Sequence, residues 1–251
     1  MNIKSPLRLA VDGELVLKEA TRRSFLRRSL TLGGLAMLTG CSLVDEASVD
    51  TALSRISRIN DDVQGWLFDP NRLAPTYPES MITRPFPFNA YYGEDEIREI
   101  EESSYRLEVT GLVADRRQWT LRELRAMPQI EQVTRHICVE GWSAIGKWGG
   151  ASFASFLRRA GADLSAKYVG FKCADDYFTS IDMATALHPQ TVLALTYDGQ
   201  PLPPKYGFPM KLRMPTKLGY KNPKHIQAIF VTNTYPGGYW EDQGYNWFGG
   251  S

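Results

Sequence analysis

Cys138 lies in the run Arg135-His136-Ile137-Cys138-Val139-Glu140-Gly141-Trp142-Ser143, between an apolar, β-leaning lead-in and a Gly-Trp-Ser turn. A cysteine that only fills a core needs no such turn. One that presents its sulfur to a bound group at the end of a strand does. A thiolate there can serve as nucleophile, metal ligand or redox thiol. A lone buried cysteine otherwise behaves as a small hydrophobe. His136 precedes it by two residues, and positions two apart on a strand share a face. A Cys–His nucleophile pair is therefore one option. No second Cys or His pair stands at ligand spacing, which argues against zinc.

A second pattern is one of charge. From Gly199 to Trp240 the chain holds no Asp or Glu, yet it carries Lys205, Lys211, Arg213, Lys217, Lys221 and Lys224. Gly207, Pro209, Pro215, Gly219 and Pro223 break this region into loops. Loops that combine lysines with exposed backbone N–H groups suit a phosphate or pyrophosphate. A basic rim for anionic lipid or a partner protein is the alternative. The formal net charge of the whole chain is only +1, so no global field draws it to nucleic acid.

The elements that must position these groups read as a mixed α+β domain. Tyr105–Val109, Gln132–Val139, Tyr168–Cys173, Val192–Tyr197, Met210–Met214 and His225–Thr232 read as strands. Thr120 and Glu123 form a capping box for a short helix to Met127. Ser152 caps a helix through Arg159 that stops at Gly161, and Asp182 caps one to His188. Asp198-Gly199 is a turn. The helices and strands alternate too unevenly for a doubly wound βαβ fold. Ahead of them, Trp66 to Asn89 is proline-rich and predicts an extended arm lying on the domain, anchored by Phe86, Phe88, Tyr91 and Tyr92.

The N-terminal segment predicts export. Thr21-Arg22-Arg23-Ser24-Phe25-Leu26 sets twin arginines before an apolar run, Leu30 to Leu38. That run is too short to span a bilayer, which takes ~20 residues. It ends in Leu38-Thr39-Gly40-Cys41, which resembles a lipobox. Residues 1–41 read as a twin-arginine signal peptide, with Cys41 the lipid anchor. Residues 42–65 read as a flexible tether, and 66–251 as a single cofactor-binding domain. The expectation is a periplasmic, membrane-anchored lipoprotein. Three cysteines are too few for a disulfide framework.

Arg135 to Ser143, with Trp148 following, resembles the cysteine motif of the sulfite-oxidase-like molybdopterin enzymes. Within them it is most similar to the exported protein-methionine-sulfoxide reductase branch. The similarity runs from about Phe86 to Trp240. Pro203-Pro204, Gly207, Pro209, Pro215, Gly219-Tyr220-Lys221 and Lys224 resemble that family's second signature. The resemblance implies a mixed-sheet molybdopterin-binding fold and a molybdenum–molybdopterin cofactor, with Cys138 as the thiolate ligand and catalytic centre. It places Asn89, Tyr92, Gly93, Cys173, Tyr206, Lys211, Asn222, Pro223 and Lys224 at the cofactor. Tyr206 and Lys211 stand where that branch has asparagine and arginine, and Cys173 stands where it has threonine. Lysine keeps the charge but loses bidentate geometry, and Cys173 also reads as a plain core residue.

The implied activity is two-electron oxygen-atom transfer, such as reduction of a small or protein-bound S-oxide like methionine sulfoxide. A membrane cytochrome or soluble carrier would supply the electrons, since no Cys-x-x-Cys-His haem motif is present. Sulfite oxidation is one alternative. A metal-free thiol enzyme (Cys138 with His136 or Cys173) and a binding lipoprotein on the same fold are the others.

Overall fold

The structure is a computed structural model that describes residues 46–251. The expected signal peptide and Cys41 lie outside the described residues. Residues 56–251 form one compact unit.

Where residues 42–65 are expected to be a flexible tether, Glu46–Leu67 is a helix, α1. Its polar composition hides a helical repeat: Ile56, Ile59, Val63 and Trp66 recur at spacings of three and four. All four are nonetheless exposed, Trp66 at 83%. The second half of α1 is fixed by polar contacts instead. Asp61 Oδ1 accepts from Asn246 Nδ2 at 2.6 Å and from the Phe248 N–H at 2.8 Å, and Gln64 Oε1 accepts from the Gly250 N–H at 3.2 Å. The compact unit therefore begins earlier than the composition suggests.

The strands are β1 (Glu108–Gly111), β2 (Gln129–Ile137), β3 (Ser143–Ser152), β4 (Tyr168–Cys173), β5 (Phe178–Asp182), β6 (Val192–Tyr197), β7 (Gln200–Pro201), β8 (Lys211–Arg213) and β9 (Ile226–Thr232). They form two sheets. One runs β1-β9-β4-β5, with β1 parallel to β9 and the other pairs antiparallel. The other runs β2-β3-β6-β7, with β8 also on β6, all antiparallel. Three short helices complete the unit: α2 (Leu121–Arg125), α3 (Phe153–Arg159) and α4 (Met183–Leu187). The architecture is the mixed-sheet α+β expected.

Each of these helices starts where a side chain captures an orphan N–H. Thr120 Oγ1 accepts from the Glu123 N–H, while Glu123 Oε2 accepts from the Thr120 N–H at 2.9 Å. Ser152 Oγ caps α3 through the Ser155 N–H, and Asp182 Oδ1 caps α4 through the Thr185 N–H at 2.7 Å. Such caps contribute about 0.5–2 kcal/mol each. In α3, Phe153, Phe156 and Leu157 sit at i, i+3 and i+4 and bury one face in the main core with Val169, Phe171, Ile229 and Val231.

The largest difference from expectation is β3. No strand is expected here, because Gly146, Gly149 and Gly150 interrupt the pattern, yet the stretch is a ten-residue strand. Gly150 is required by close approach: a Cβ there would stand 1.9 Å from the Leu193 carbonyl oxygen on β6. The β3–β6 register also shifts at Gly149/Gly150, a bulge that glycine tolerates. β5 was likewise not expected, being short and flanked by turns.

The proline-rich arm lies on the domain. The Tyr77 N–H donates to the Val133 carbonyl at 3.0 Å. Gln190 pairs with both the N–H and the carbonyl of Ala74, at 2.7 and 3.0 Å. Phe86 is buried against Trp148, Tyr206 and Tyr197, with centroids 5.3, 5.6 and 5.7 Å away.

Candidate active site

β2 and β3 form a hairpin whose last pair is Ile137 and Ser143. The strand therefore ends at Ile137, two residues short of the expected Val139, and Cys138 opens the connecting loop. Its N–H donates to the Trp142 carbonyl at 2.9 Å, and its carbonyl accepts from the Gly141 N–H at 3.2 Å. Gly141 has φ of +94°, the left-handed region that glycine enters without penalty. The loop holds Sγ against the next layer. Asn89 Nδ2 donates to Sγ at 3.1 Å, and Sγ lies 3.5 Å from Glu140 Oε2. Glu140 is itself oriented by Trp142 Nε1, at 2.8 Å.

Sγ opens on a cavity lined by Asn89, Tyr92, Asn222, Pro223 and Lys224 of the expected set. These come from the arm and from the loop after β8, so the fold unites the two segments that the sequence marks separately. Lys211 does not line it: it is buried, its ammonium 5.0 Å from the Trp148 ring centroid. The other three expected contacts do not line the cavity. Gly93 caps an exposed single turn, Glu94–Glu96. Tyr206 is core, its hydroxyl bonded to the Phe86 carbonyl at 2.9 Å. Cys173 is a buried residue of the main core, which fits its plain packing reading.

The acid-free basic stretch resolves into two groups with different work. Lys217 and Lys221 are buried away from the cavity. Lys217 donates to the Phe248 carbonyl at 2.9 Å and lies 3.6 Å from Asp182. Lys221 pairs with Glu241. The expectation that Lys205 to Lys224 as a whole cradles a phosphate is thus corrected, because two of its lysines already have internal partners. Lys211 and Lys224 differ. Among the described residues, neither has a carboxylate at ion-pair distance. Lys224 Nζ sits 4.6 Å from the Phe88 ring and 5.5 Å from the Tyr92 ring. Burial pushes the Lys224 ammonium down to about 8. It pushes Lys211 well below the usual lysine range, and the neighbouring cations Lys224 and Arg213 add to the effect. Two buried, crowded ammonium groups are unfavourable unless an anion joins them.

Arg213 braces this wall. Its Nη2 donates to the Arg135 carbonyl at 2.6 Å and to Thr134 Oγ1 at 3.1 Å, and Nη1 reaches Asn222 Oδ1 at 3.3 Å. It ties β2, the strand that leads to Cys138, to the loop that carries Asn222 and Lys224.

The structure bears on the thiol alternatives. Burial raises the Cys138 pKa rather than lowering it. His136 makes no hydrogen bond to it, and Cys138 and Cys173 are free thiols. Among the described residues no set of three or more His, Cys, Asp or Glu could hold a metal ion. A metal at Cys138 must bring its other ligands with it, as a dithiolene does.

Several lining residues were not among the expected cofactor contacts, although Glu140 and Tyr220 stand in the two quoted motifs and Tyr91 among the anchors of the arm. Tyr91, Tyr177, Tyr220, Trp240 and Tyr245 form an aromatic wall, and Asp175 and Glu140 are its carboxylates. Tyr92 donates to Asp175 Oδ2 at 2.9 Å, and Tyr91 donates to the Asp175 carbonyl. The density of tyrosine and tryptophan was a signal, but one shared by any dense core.

Residues 94–240 match the family described as oxidoreductase molybdopterin binding domain. The chain is 71% identical, over 97% of both lengths, to a protein of Azospira oryzae provisionally named protein-methionine-sulfoxide reductase subunit YedZ1. It is 32% identical to the protein-methionine-sulfoxide reductase catalytic subunit MsrP of Xanthomonas axonopodis pv. citri, over 47% of this chain and 42% of that one. Identity to the uncharacterized oxidoreductase YuiH of Bacillus subtilis is 28%, over 67% and 85% of the two chains. The sulfane dehydrogenase SoxCD of Paracoccus pantotrophus shares the fold, with a TM-score of 0.52 at 19% identity over 55% of this chain and 40% of that one.

Proposed function

This chain belongs to the oxidoreductase molybdopterin-binding-domain family, and we propose that it reduces S-oxides at the cavity beside Cys138. It is a molybdenum-dependent oxidoreductase with a molybdenum–molybdopterin cofactor. The observation that carries the site is the meeting of one thiol, one cavity and two buried lysines without carboxylate partners. This donor set fits the cofactor: a soft thiolate for the metal and cations for the phosphate.

When bound, molybdenum supplies a two-electron centre for oxygen-atom transfer. The chain's own residues do the rest. Cys138 Sγ holds the metal, and Asn89 orients and polarises that sulfur. Lys211 and Lys224 neutralise the phosphate, with Arg213 fixing the loop between them and β2. Tyr91, Tyr177, Tyr220, Trp240 and Tyr245 exclude water and offer ring edges to the thioether that reduction leaves, contacts that contribute ~0.3–1.5 kcal/mol each.

Substrate charge separates the two oxygen-transfer readings. Glu140 and Asp175 stand at the cavity, and both disfavour an anion such as sulfite. A neutral sulfoxide, free or in a protein, meets no such repulsion. Relatives named as methionine-sulfoxide reductases agree with this choice. The electrons come from a membrane cytochrome or a soluble carrier, and the twin-arginine and lipobox segments support a periplasmic lipoprotein anchored at Cys41.

The decisive experiment is elemental analysis of protein matured in an export-competent host, followed by turnover of methionine sulfoxide with a reduced dye. One molybdenum per chain and turnover that Cys138→Ser abolishes are expected. A metal-free active enzyme would overturn the reading.

A further inference from the structure

Three histidines occur in this chain, and two have conventional partners. His188 Nε2 bonds the Arg72 carbonyl at 3.1 Å, and its Nδ1 accepts from the Gln190 N–H at 3.1 Å. His225 Nδ1 lies 2.6 Å from the Phe208 carbonyl. His136 is fully buried, and neither ring nitrogen has a partner. His225 Nε2 is also unpaired, but only His136 among the three leaves both nitrogens without a partner. A buried polar atom left unpaired is a loss to the fold, and this ring has room for a partner at each nitrogen.

Its surroundings show where. Phe86 and Trp142 hold the ring, with centroids 5.9 and 5.8 Å away. Nε2 faces Gly219, which lines the cavity. A Cβ at Gly219 would stand 2.8 Å from His136 Nε2 and 3.3 Å from Asn89 Nδ2. The missing side chain leaves the imidazole and the amide that serves Cys138 converging on one point of the cavity wall.

We propose that His136 is a positioning residue for the cofactor, its imidazole hydrogen-bonding a heteroatom of the pterin–dithiolene group next to Cys138. The proposal rests on the molybdopterin reading above. It assigns to the histidine a role separate from the nucleophile pair that its spacing to Cys138 suggests.

The test compares wild type, His136→Leu and His136→Gln, each produced in a host that makes the cofactor and in one that cannot. Molybdenum and released pterin per chain, the thiolate-to-metal absorption, and urea midpoints are read. In the cofactor-free protein, His136→Leu removes two unpaired nitrogens, so its midpoint equals or exceeds that of wild type. In the cofactor-making host, the same variant loses occupancy roughly tenfold or more, in line with lost partners around metal ligands, or shifts the absorption band. His136→Gln, which keeps a donor and an acceptor, restores most of the occupancy. Full occupancy with an unchanged band in His136→Leu overturns the proposal. So does a cofactor-free His136→Leu protein that is less stable than wild type or fails to accumulate, since the ring is then structural. Wild-type protein lacking molybdenum would instead refute the functional reading itself.

Discussion

Asn89 Nδ2 donates to Cys138 Sγ across 3.1 Å, joining the proline-rich arm to the hairpin loop that carries the proposed metal ligand. A donor to a ligating sulfur stabilises the more electron-rich, reduced state of the centre. Asn89→Leu should therefore lower the midpoint potential of the bound metal. A net hydrogen bond of ~1 kcal/mol corresponds to a shift on the order of tens of millivolts for one electron. Spectroscopic redox titration measures it, and an unchanged potential would show that the amide only packs against the sulfur.

Lys221 and Lys224 stand three residues apart and look alike in sequence, but their environments separate them. Lys221 is buried against Glu241. Lys221→Met should strand that carboxylate and destabilise the cofactor-free protein by ~3–5 kcal/mol, while adding Glu241→Leu should recover much of the loss. Lys224→Met and Lys211→Met should leave the urea midpoint near or above wild type. Their deficit should appear in cofactor occupancy, by roughly tenfold, the scale of a lost charge-assisted hydrogen bond. Equal loss of occupancy in Lys221→Met without loss of stability would contradict this division.

The same pair shows what was legible in sequence. The acid-free stretch marked the right loop, because Asn222, Pro223 and Lys224 do line the cavity. It could not distinguish Lys224, which lines the cavity, from Lys221, which pairs with Glu241, the first acid after the stretch ends. Helix starts at Thr120, Ser152 and Asp182 were readable because a cap needs only a local side chain three residues from its N–H. Strand β3 was not readable, because its glycines answer to the backbone of β6, a partner distant in sequence. α1 was misread because polar composition outweighed a four-residue apolar repeat. The aromatic wall combines Tyr91, Tyr177, Tyr220 and Trp240 from four separate segments, and no spacing along the chain reveals such a set.

Lys217 makes stability depend on pH. Burial lowers its pKa to about 7, with Asp182 partly opposing the shift, against 10.5 when unfolded. Between those values the unfolded state holds a proton that the folded state has lost. Stability then rises with pH, by at most ~1.4 kcal/mol per unit for one group. Lys224, pushed to about 8, acts in the same direction. The urea midpoint of cofactor-free protein should climb from pH 7 to about 9.5, below the range where tyrosines ionise. Lys217→Met should flatten part of that climb, and a wild-type midpoint that falls over this range would refute the assignment.

On the proposed export reading, membrane attachment would rest on one thiol in the N-terminal segment, Cys41. Cys41→Ala should move the mature protein from the membrane fraction to the soluble periplasm while leaving molybdenum content unchanged, because the cavity proposed for the cofactor is lined wholly by residues between Asn89 and Tyr245. Replacing Arg22 and Arg23 with lysine should instead leave the precursor in the cytoplasm. Fractionation with an antibody to the domain reads both outcomes. Retention of Cys41→Ala at the membrane would transfer the anchoring role to another surface, such as the exposed Ile56, Ile59, Val63 and Trp66 on α1.

Glu140 offers a test of substrate choice. Its carboxylate reaches within 3.5 Å of Cys138 Sγ and is held there by Trp142. A negative charge so close to the reacting centre repels an anion and leaves a neutral sulfoxide nearly untouched. It is also solvent-exposed, so screening limits the effect to roughly threefold to tenfold. Glu140→Gln should raise kcat/KM for sulfite oxidation, or tighten inhibition by sulfite, by that factor. The rise should shrink in high salt, as a surface charge effect must. Methionine sulfoxide turnover should change much less, since the amide still accepts from Trp142. Equal changes for the anionic and the neutral compound would mean that Glu140 acts on the metal ligand rather than on the charge of the substrate.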